Sequence, residues 1–551
     1  MNGVQCDMLG LMQNRQLSIA SLIEHAARTH GSTEVVSRLV DGSIHRSTYH
    51  ETARRSRQAA NALQSLGVEV GDRVATLAWN THRHLELYYA ISGFGAVCHT
   101  INPRLFFEQI RFIVDHAEDR VLFFDPTFSG LVEEIAEVCP SVEAFVVLCS
   151  RDEMPRDLKV GNLLCYEDLL TDEVETFQWP DLPEETAAAL CYTSGTTGNP
   201  KGVLYSHRST ILHAYASVMP DAFGISARDC VMPASSMYHA NAWGLPYAAT
   251  LAGAKLVLPC NQLDGPHLTE MIDAERVTIS CGVPTIWLGV LQYLAKTKQS
   301  LKSLRRLVVS GSACPVSLIT NYRKRHDVEI MHFWGMTELS PLGTIARVPH
   351  EDANAPDEVL DEMRSRQGRP LYGVEIEIVD DEGVPLPHDG ETFGDLMVRG
   401  FWVADGYFRR DERESDAEGW FRTGDVSTID PSGVMRITDR SKDVIKSGGE
   451  WISSIDLENA AVGHPSVAEA AVVGIPHPKW DERPLLIAVL NEGAEPDAQS
   501  IRDFLLDHVA RWQLPDDIVF VDEIPHTATG KILKMELRDI YADHFLSSEE
   551  D

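Results

Sequence analysis

From Arg73 onward the chain alternates short apolar runs with segments whose apolar residues recur every three or four positions. "RVATLAWN" (Arg73–Asn80) reads as a buried strand, and the segment carrying Leu85, Leu87, Tyr88, Tyr89 and Ile91 reads as a helix. "AVCHTIN" (Ala96–Asn102) is a second strand and "LFFEQIRFIVDHAED" (Leu105–Asp119) a second helix. Strands follow at "RVLFFD" (Arg120–Asp125), "AFVVLC" (Ala144–Cys149), "AAALCY" (Ala187–Tyr192) and "GVLYSH" (Gly202–His207), then a helix over about Ser209–Val218 and a strand at "RRLVVSGSA" (Arg305–Ala313). This alternation predicts an α/β fold, a large N-terminal domain of doubly wound layers. From about Arg369 the texture changes. "GVEIEIVDDEGVPLP" and "GDLMVRG" predict antiparallel strands of a β-rich subdomain. The last hundred residues mix short strands with an amphipathic helix near Ser500–Trp512, which predicts a small α+β domain. The charged, glycine-containing "TDRSKDVIKSGGE" (Thr438–Glu450) is the expected hinge region.

Length agrees with more than one domain: 551 residues exceed a single ordinary core. No apolar run approaches a membrane span, and the N-terminus lacks the pattern of a secretory signal, with Met8 an alternative start. The net charge of −34 disfavours nucleic acid and anionic lipid as partners. Ten scattered cysteines without a Cys-x-x-Cys pair suggest a reducing cytoplasm and no zinc site.

Against that acidic background one stretch stands out. "YTSGTTGNPKG" (Tyr192–Gly202) packs three glycines, a lysine and the hydroxyls of Thr193, Ser194, Thr196 and Thr197 between two apolar strands. Composition alone also fits a linker, but linkers join domains and this loop lies inside one. Glycines let backbone N–H groups turn towards an anion, and the hydroxyls add donors. Lys201 is followed by Gly202, so the loop is not the G-x-x-x-x-G-K-[ST] of kinases and GTPases. Strand ends in open α/β sheets are where ligands bind, and the strand before "SGSA" ends the same way. The residues by themselves specify an oxyanion cradle.

"MYHANAW" (Met237–Trp243), "GSACP" (Gly311–Pro315), "WGMTE" (Trp334–Glu338), "WFRTGD" (Trp420–Asp425), "DRSKDVIKSGGEWIS" (Asp439–Ser453) and "TATGKILK" (Thr527–Lys534) follow in that order. Together with the loop they resemble the signature motifs of the adenylate-forming superfamily, over about Leu17–Arg538. "CHTINPRL" (Cys98–Leu105) and "IPHPKWDERP" (Ile475–Pro484) add similarity to fatty-acyl-CoA synthetases, including 3-methylmercaptopropionate-CoA ligases.

The resemblance implies an AMP-forming carboxylic acid–CoA ligase using ATP, Mg²⁺ and coenzyme A, with medium- or long-chain fatty acids as the expected substrates and 3-methylmercaptopropionate as the close alternative. Adenylation for a separate carrier protein, luciferase-like oxygen chemistry and a non-catalytic nucleotide-binding regulator are the rival readings. The implied domains are 1–439, a hinge at 440–442 centred on Lys442, and a mobile domain at 443–551. Thr193, Ser194, Gly195, Thr196, Thr197, Gly198 and Lys201 are implied to cradle the β- and γ-phosphates. Thr337 and Glu338 are implied near the α-phosphate, with Glu338 and Thr193 as Mg²⁺ ligands. Trp334 and Gly335 are implied at the adenine, Gly311, Ser312 and Ala313 along the adenine and acyl-phosphate side, and Asp425 and Arg440 at the ribose. Lys531 is implied as the adenylation lysine. Lys446, Gly448, Gly449, Glu450 and Trp451 are implied to flank pantetheine after a domain rotation. His239 is implied near the carboxylate and Trp243 as the acyl gate, with Val283, Pro284 and Thr285 along the wall. "HFW" departs from the smaller or amide residues of many relatives, which leaves the shape of the pocket floor at His332 and Phe333 open. A homodimer is the default expectation.

Overall fold

The computed structural model describes residues 10–193, 199–440, 442–447, 450–526 and 532–545. Two layered sheets form the large domain. A seven-stranded sheet has Arg73–Leu77 near its middle, with Val97–Thr100, Ala187–Tyr192 and Gly202–Ser206 in sequence towards one edge. Its neighbours are parallel except the last pair, which is antiparallel and opposes Tyr192 to Gly202. The loop Tyr192–Gly202 therefore closes an edge hairpin. A nine-stranded sheet runs parallel through Glu329–Gly335, Arg306–Val309, Ile279–Gly282, Cys230–Pro233, Lys255–Leu258 and Glu34–Arg38. Its outer strands, including Leu342–Ile345, are antiparallel.

The helix His82–Phe94 is buried almost all round, and residues of both sheets join it in one apolar cluster. Its buried Glu86 is partnered by Arg55 at 2.7 Å. Burial follows the apolar runs; Cys98 and Cys191 lie in buried strands, and Cys149 is buried just past one.

A four-stranded antiparallel sheet follows, ending in Phe421–Ile429 and Met435–Arg440. The small C-terminal domain carries its own five-stranded sheet, built on Val467–His477 and Asp481–Leu490, with separate apolar clusters on its two sides.

Two helix boundaries differ from the pattern. The helix expected over Leu105–Asp119 spans Phe107–Ala117, because Glu118 turns left-handed (φ 53°) and Asp119 enters the next strand fully buried. The helix expected over Ser500–Trp512 spans Ala498–Leu505. His508 bonds the Phe504 carbonyl through Nδ1 at 2.9 Å, and its backbone N–H donates to Leu505. A side chain that takes up a helical carbonyl competes with the next turn.

Candidate active site

Lys201 leaves the signature loop with its backbone carbonyl accepting from Thr193 N at 2.9 Å, and its own N–H 3.4 Å from Thr193 Oγ1. The ammonium lies over the Tyr407 ring, 4.4 Å from the centroid, and 3.9 Å from Glu414 Oε1. Tyr407 donates its hydroxyl to Glu338 Oε1 at 2.7 Å. Thr337 and Glu338 sit buried in the short turn Thr337–Leu339, directly after the strand Glu329–Gly335. Tyr205 O–H donates to the Thr337 carbonyl at 2.7 Å, which ties that turn to the strand leaving the loop. Thr193, Lys201, Thr337 and Glu338 are thus gathered although 145 positions separate the first from the last.

A second group lies beside it. Trp334 donates its indole N–H to Asp425 Oδ2 at 2.8 Å, and Arg440 Nε is 3.7 Å from Asp425 Oδ1. Asp425 and Arg440 are cross-strand partners, so the antiparallel register sets their pairing. Trp334 is 5% exposed. Gly335 is required by packing: a Cβ there would meet the Pro341 carbonyl oxygen at 1.9 Å. Gly311 has φ +92°, and a Cβ on it would meet Val283 at 2.9 Å, so "GSA" turns against the start of the helix that begins at Pro284.

"MYHANAW" adopts the most strained backbone in the chain's functional segments. Ala240, Asn241, Ala242 and Trp243 have φ between 42° and 57° and form a left-handed turn after His239. Each such residue costs about 1–2 kcal/mol. The surroundings hold it: Met237 N donates to Asn80 Oδ1 at 2.7 Å, Tyr88 donates its hydroxyl to the Met237 carbonyl, and Cys191 Sγ lies 3.5 Å from Asn241 Oδ1. Trp243 is buried edge-to-face against Phe333, 5.1 Å between centroids, and Phe333 in turn meets Phe223. Phe333 therefore faces Trp243. His332 points the other way, its Nδ1 2.7 Å from the Ser365 carbonyl, with burial lowering its pKa.

The small domain meets the large one along a polar seam. Ser453 donates to the Thr438 carbonyl at 2.5 Å, Ser454 donates its N–H and hydroxyl to Asp439 Oδ2 at 2.8 and 2.6 Å, and Arg436 pairs with Asp456 at 2.7 Å. A cleft of about 560 Å³ opens along it, with Ala313, Arg436, Asp456 and Phe504 in its walls. Lys442 is exposed at the start of the small domain. Lys446 stands opposite Trp451 in the hairpin Ile445–Ser447/Glu450–Ile452, its backbone N–H donating to Glu482 Oε2 at 3.0 Å. Lys534 is buried, 2.8 Å from Glu458 Oε1 and 2.5 Å from Ser454 Oγ, which marks it as a structural lysine. Ser194, Gly195, Thr196, Thr197, Gly198, Gly448, Gly449 and Lys531, and the side chains of Glu450 and Trp451, lie outside the described residues.

This geometry coincides with a known family. A profile described as "AMP-binding enzyme" matches residues 22–408, and one described as "AMP-binding enzyme C-terminal domain" matches 456–531. The chain belongs to the AMP-binding enzymes. It is 53% identical to a 3-methylmercaptopropionyl-CoA ligase of Ruegeria lacuscaerulensis, over 97% of this chain and 99% of the relative. It is 51% identical to a medium-chain-fatty-acid–CoA ligase of Ectopseudomonas oleovorans, over 98% and 99%. Among solved structures, the anthranilate CoA ligase AuaEII with anthranoyl-AMP superposes with a TM-score of 0.85 at 26% identity, covering 96% of this chain and 98% of that one. The chain is therefore an AMP-forming acid–thiol ligase, with ATP, coenzyme A and a small-molecule carboxylic acid as substrates. Tyr407, Tyr205 and Glu414 escaped the sequence reading. Gly406-Tyr407 is the one local signal, and nothing in it points to Glu338.

Proposed function

We propose that this ligase activates medium- to long-chain fatty acids, forming an acyl-adenylate that coenzyme A then captures. The observation that carries the proposal is the strained turn at Trp243, backed by Phe333 and Phe223. Backbone held in a costly conformation clusters at active sites, ligand clamps and switch regions. Release of the turn would swing Trp243 off Phe333 and open an apolar path suited to an alkyl chain. The same contact favours a second reading: with Trp243 kept in place the pocket is short, which suits a thioether acid of the size of 3-methylmercaptopropionate.

In the first step the carboxylate attacks the α-phosphorus and pyrophosphate leaves. Positioning and charge stabilisation supply the catalysis. The signature loop, residues 193–201, holds the terminal phosphates, and Lys201 would leave Tyr407 and Glu414 to meet them. Thr337 lies by the α-phosphate. Asp425, already an acceptor for Trp334 and Arg440, takes the ribose hydroxyls. Trp334, Gly335 and Gly311–Ala313 border the base and the acyl phosphate, and His239 lies by the carboxylate. Lys531 bridges the carboxylate and the α-phosphate as charge builds. Among the described residues no three His, Cys, Asp or Glu side chains could hold a metal ion. Glu338 with the Thr193 hydroxyl nevertheless fits Mg²⁺, which takes few protein oxygens and draws the rest from phosphates and water. The ion would neutralise phosphate charge.

For the second step the small domain, 443–551, rotates about 440–442 with Lys442 as pivot, and Lys446–Trp451 comes to flank pantetheine. The nine described cysteines are buried and free, in keeping with a cytoplasmic setting; a homodimer is proposed as the assembly.

AMP release with propionate, 3-methylmercaptopropionate, butyrate, octanoate and palmitate tests the substrate. A kcat/KM that rises towards octanoate or palmitate is expected. A maximum at the short acids replaces this proposal with the second reading.

A further inference from the structure

Tyr407 is the residue on which two separate parts of the site converge. Its hydroxyl holds Glu338 Oε1 at 2.7 Å while its ring face carries the Lys201 ammonium at 4.4 Å. The backbone around it grips the same two elements. Ala404 N donates to the Glu338 carbonyl at 2.8 Å, and Phe408 N donates to the Gly202 carbonyl at 2.8 Å.

We propose that Tyr407 is a positioning residue for the nucleotide, a spacer that holds the Glu338 carboxylate and the Lys201 ammonium apart and oriented before ATP binds. The inference rests on the nucleotide site proposed above. The physical reason is competition. A carboxylate and an ammonium sharing a partly buried site would pair directly, and that pair would occupy the space and the charges that a triphosphate needs. Tyr407 satisfies one Glu338 carboxylate oxygen with a neutral donor and offers Lys201 a π face, so the cation's carboxylate contact is the longer one to Glu414 at 3.9 Å and both Glu338 and Lys201 can yield to phosphate. Arg410, 5.7 Å from the same ring centroid, pairs with Glu414 at 3.6 Å.

The experiment is calorimetric binding of the non-hydrolysable analogue AMP-CPP, with and without Mg²⁺, to wild type, Tyr407→Phe, Tyr407→Leu and Glu338→Gln, with thermal unfolding of each. Tyr407→Phe keeps the ring and the fold but frees the carboxylate. It is expected to weaken analogue binding in Mg²⁺ about 10-fold, to narrow the gap between the Mg²⁺ and Mg²⁺-free values, and to raise KM for ATP more than it lowers kcat. Tyr407→Leu is expected to weaken binding further, including without Mg²⁺. Wild-type affinity in Tyr407→Phe under both conditions, with an unchanged melting temperature, overturns the proposal. Should wild type itself show no Mg²⁺-dependent binding and Glu338→Gln match it, the nucleotide site has been misassigned and the role of Tyr407 falls with it.

Discussion

The proposed nucleotide site and the domain seam are both polar, yet they are built in opposite ways. The site is assembled from the large domain and locked by burial. Trp334, Glu338 and Asp425 are each under a tenth exposed, and long-range partners hold them. The seam joins two bodies that each bury their own apolar clusters, and among the described residues its direct ties include hydrogen bonds from Ser453 and Ser454 and the ion pairs Arg436–Asp456 and Lys296–Glu492. Hydrogen bonds exchanged with water have a small net worth, so a seam made of them can be broken and remade cheaply. Apolar burial on that scale could not. The chain thus sets the proposed nucleotide site on buried strands and leaves the small domain free to move in the proposed rotation.

The comparison breaks most visibly at Lys531, proposed as the small domain's one contribution to adenylation. Lys531→Ala is expected to slow adenylation at least about 100-fold and to leave thioester formation from supplied acyl-adenylate largely intact. Equal loss of both half-reactions would erase the division of labour.

Acid separates the two regions by sign. His84 and His207 are pushed down to about 4 and His213 to about 3, all by burial in the large domain. The unfolded chain takes up these protons below pH ~6.5 and the native chain does not. Their stability is complete above that pH and is lost on acidification towards the folded values, about 2 kcal/mol per histidine by pH 5. His526 in the small domain is raised by its hydrogen bond to Glu469, so its contribution is present below the ordinary histidine value and fades as pH rises through the folded one. Hydrogen exchange at pH 7 and pH 5 should show protection falling in the large domain first. Uniform loss would remove the contrast.

Asp425→Ala leaves the buried Trp334 N–H without its acceptor. It is expected to cost about 1–3 kcal/mol in chemical denaturation and to raise KM for ATP. The smallest effect belongs to the seam. Ser454→Ala removes the hydroxyl's bond to Asp439 and the bond it accepts from Lys534, is expected to cost about 1 kcal/mol, and should raise limited proteolysis within 440–447. An effect larger than that of Asp425→Ala would show the seam to be the rigid part.

Much of this was legible in the chain because strands buried on both faces read as apolar runs. The two strands flanking Thr193–Lys201 and the helix after them followed from that pattern; their antiparallel pairing did not. Left-handed turns at non-glycine residues did not. Glu118 ends its helix and Ala240–Trp243 form their turn because tertiary contacts such as Asn80 with Met237 outweigh local preference. Asp425 was found by motif, but its bond to Trp334 depends on how two sheets meet. Tyr407 was invisible for the same reason.

The most direct test of the central claim fixes the seam. In Arg436→Cys with Asp456→Cys, whose side chains now meet across it, a short reducible cross-linker would hold the two domains in this orientation. The account predicts that one half-reaction survives, the other is lost, and reduction restores it. Two unaffected half-reactions in the cross-linked enzyme would contradict it.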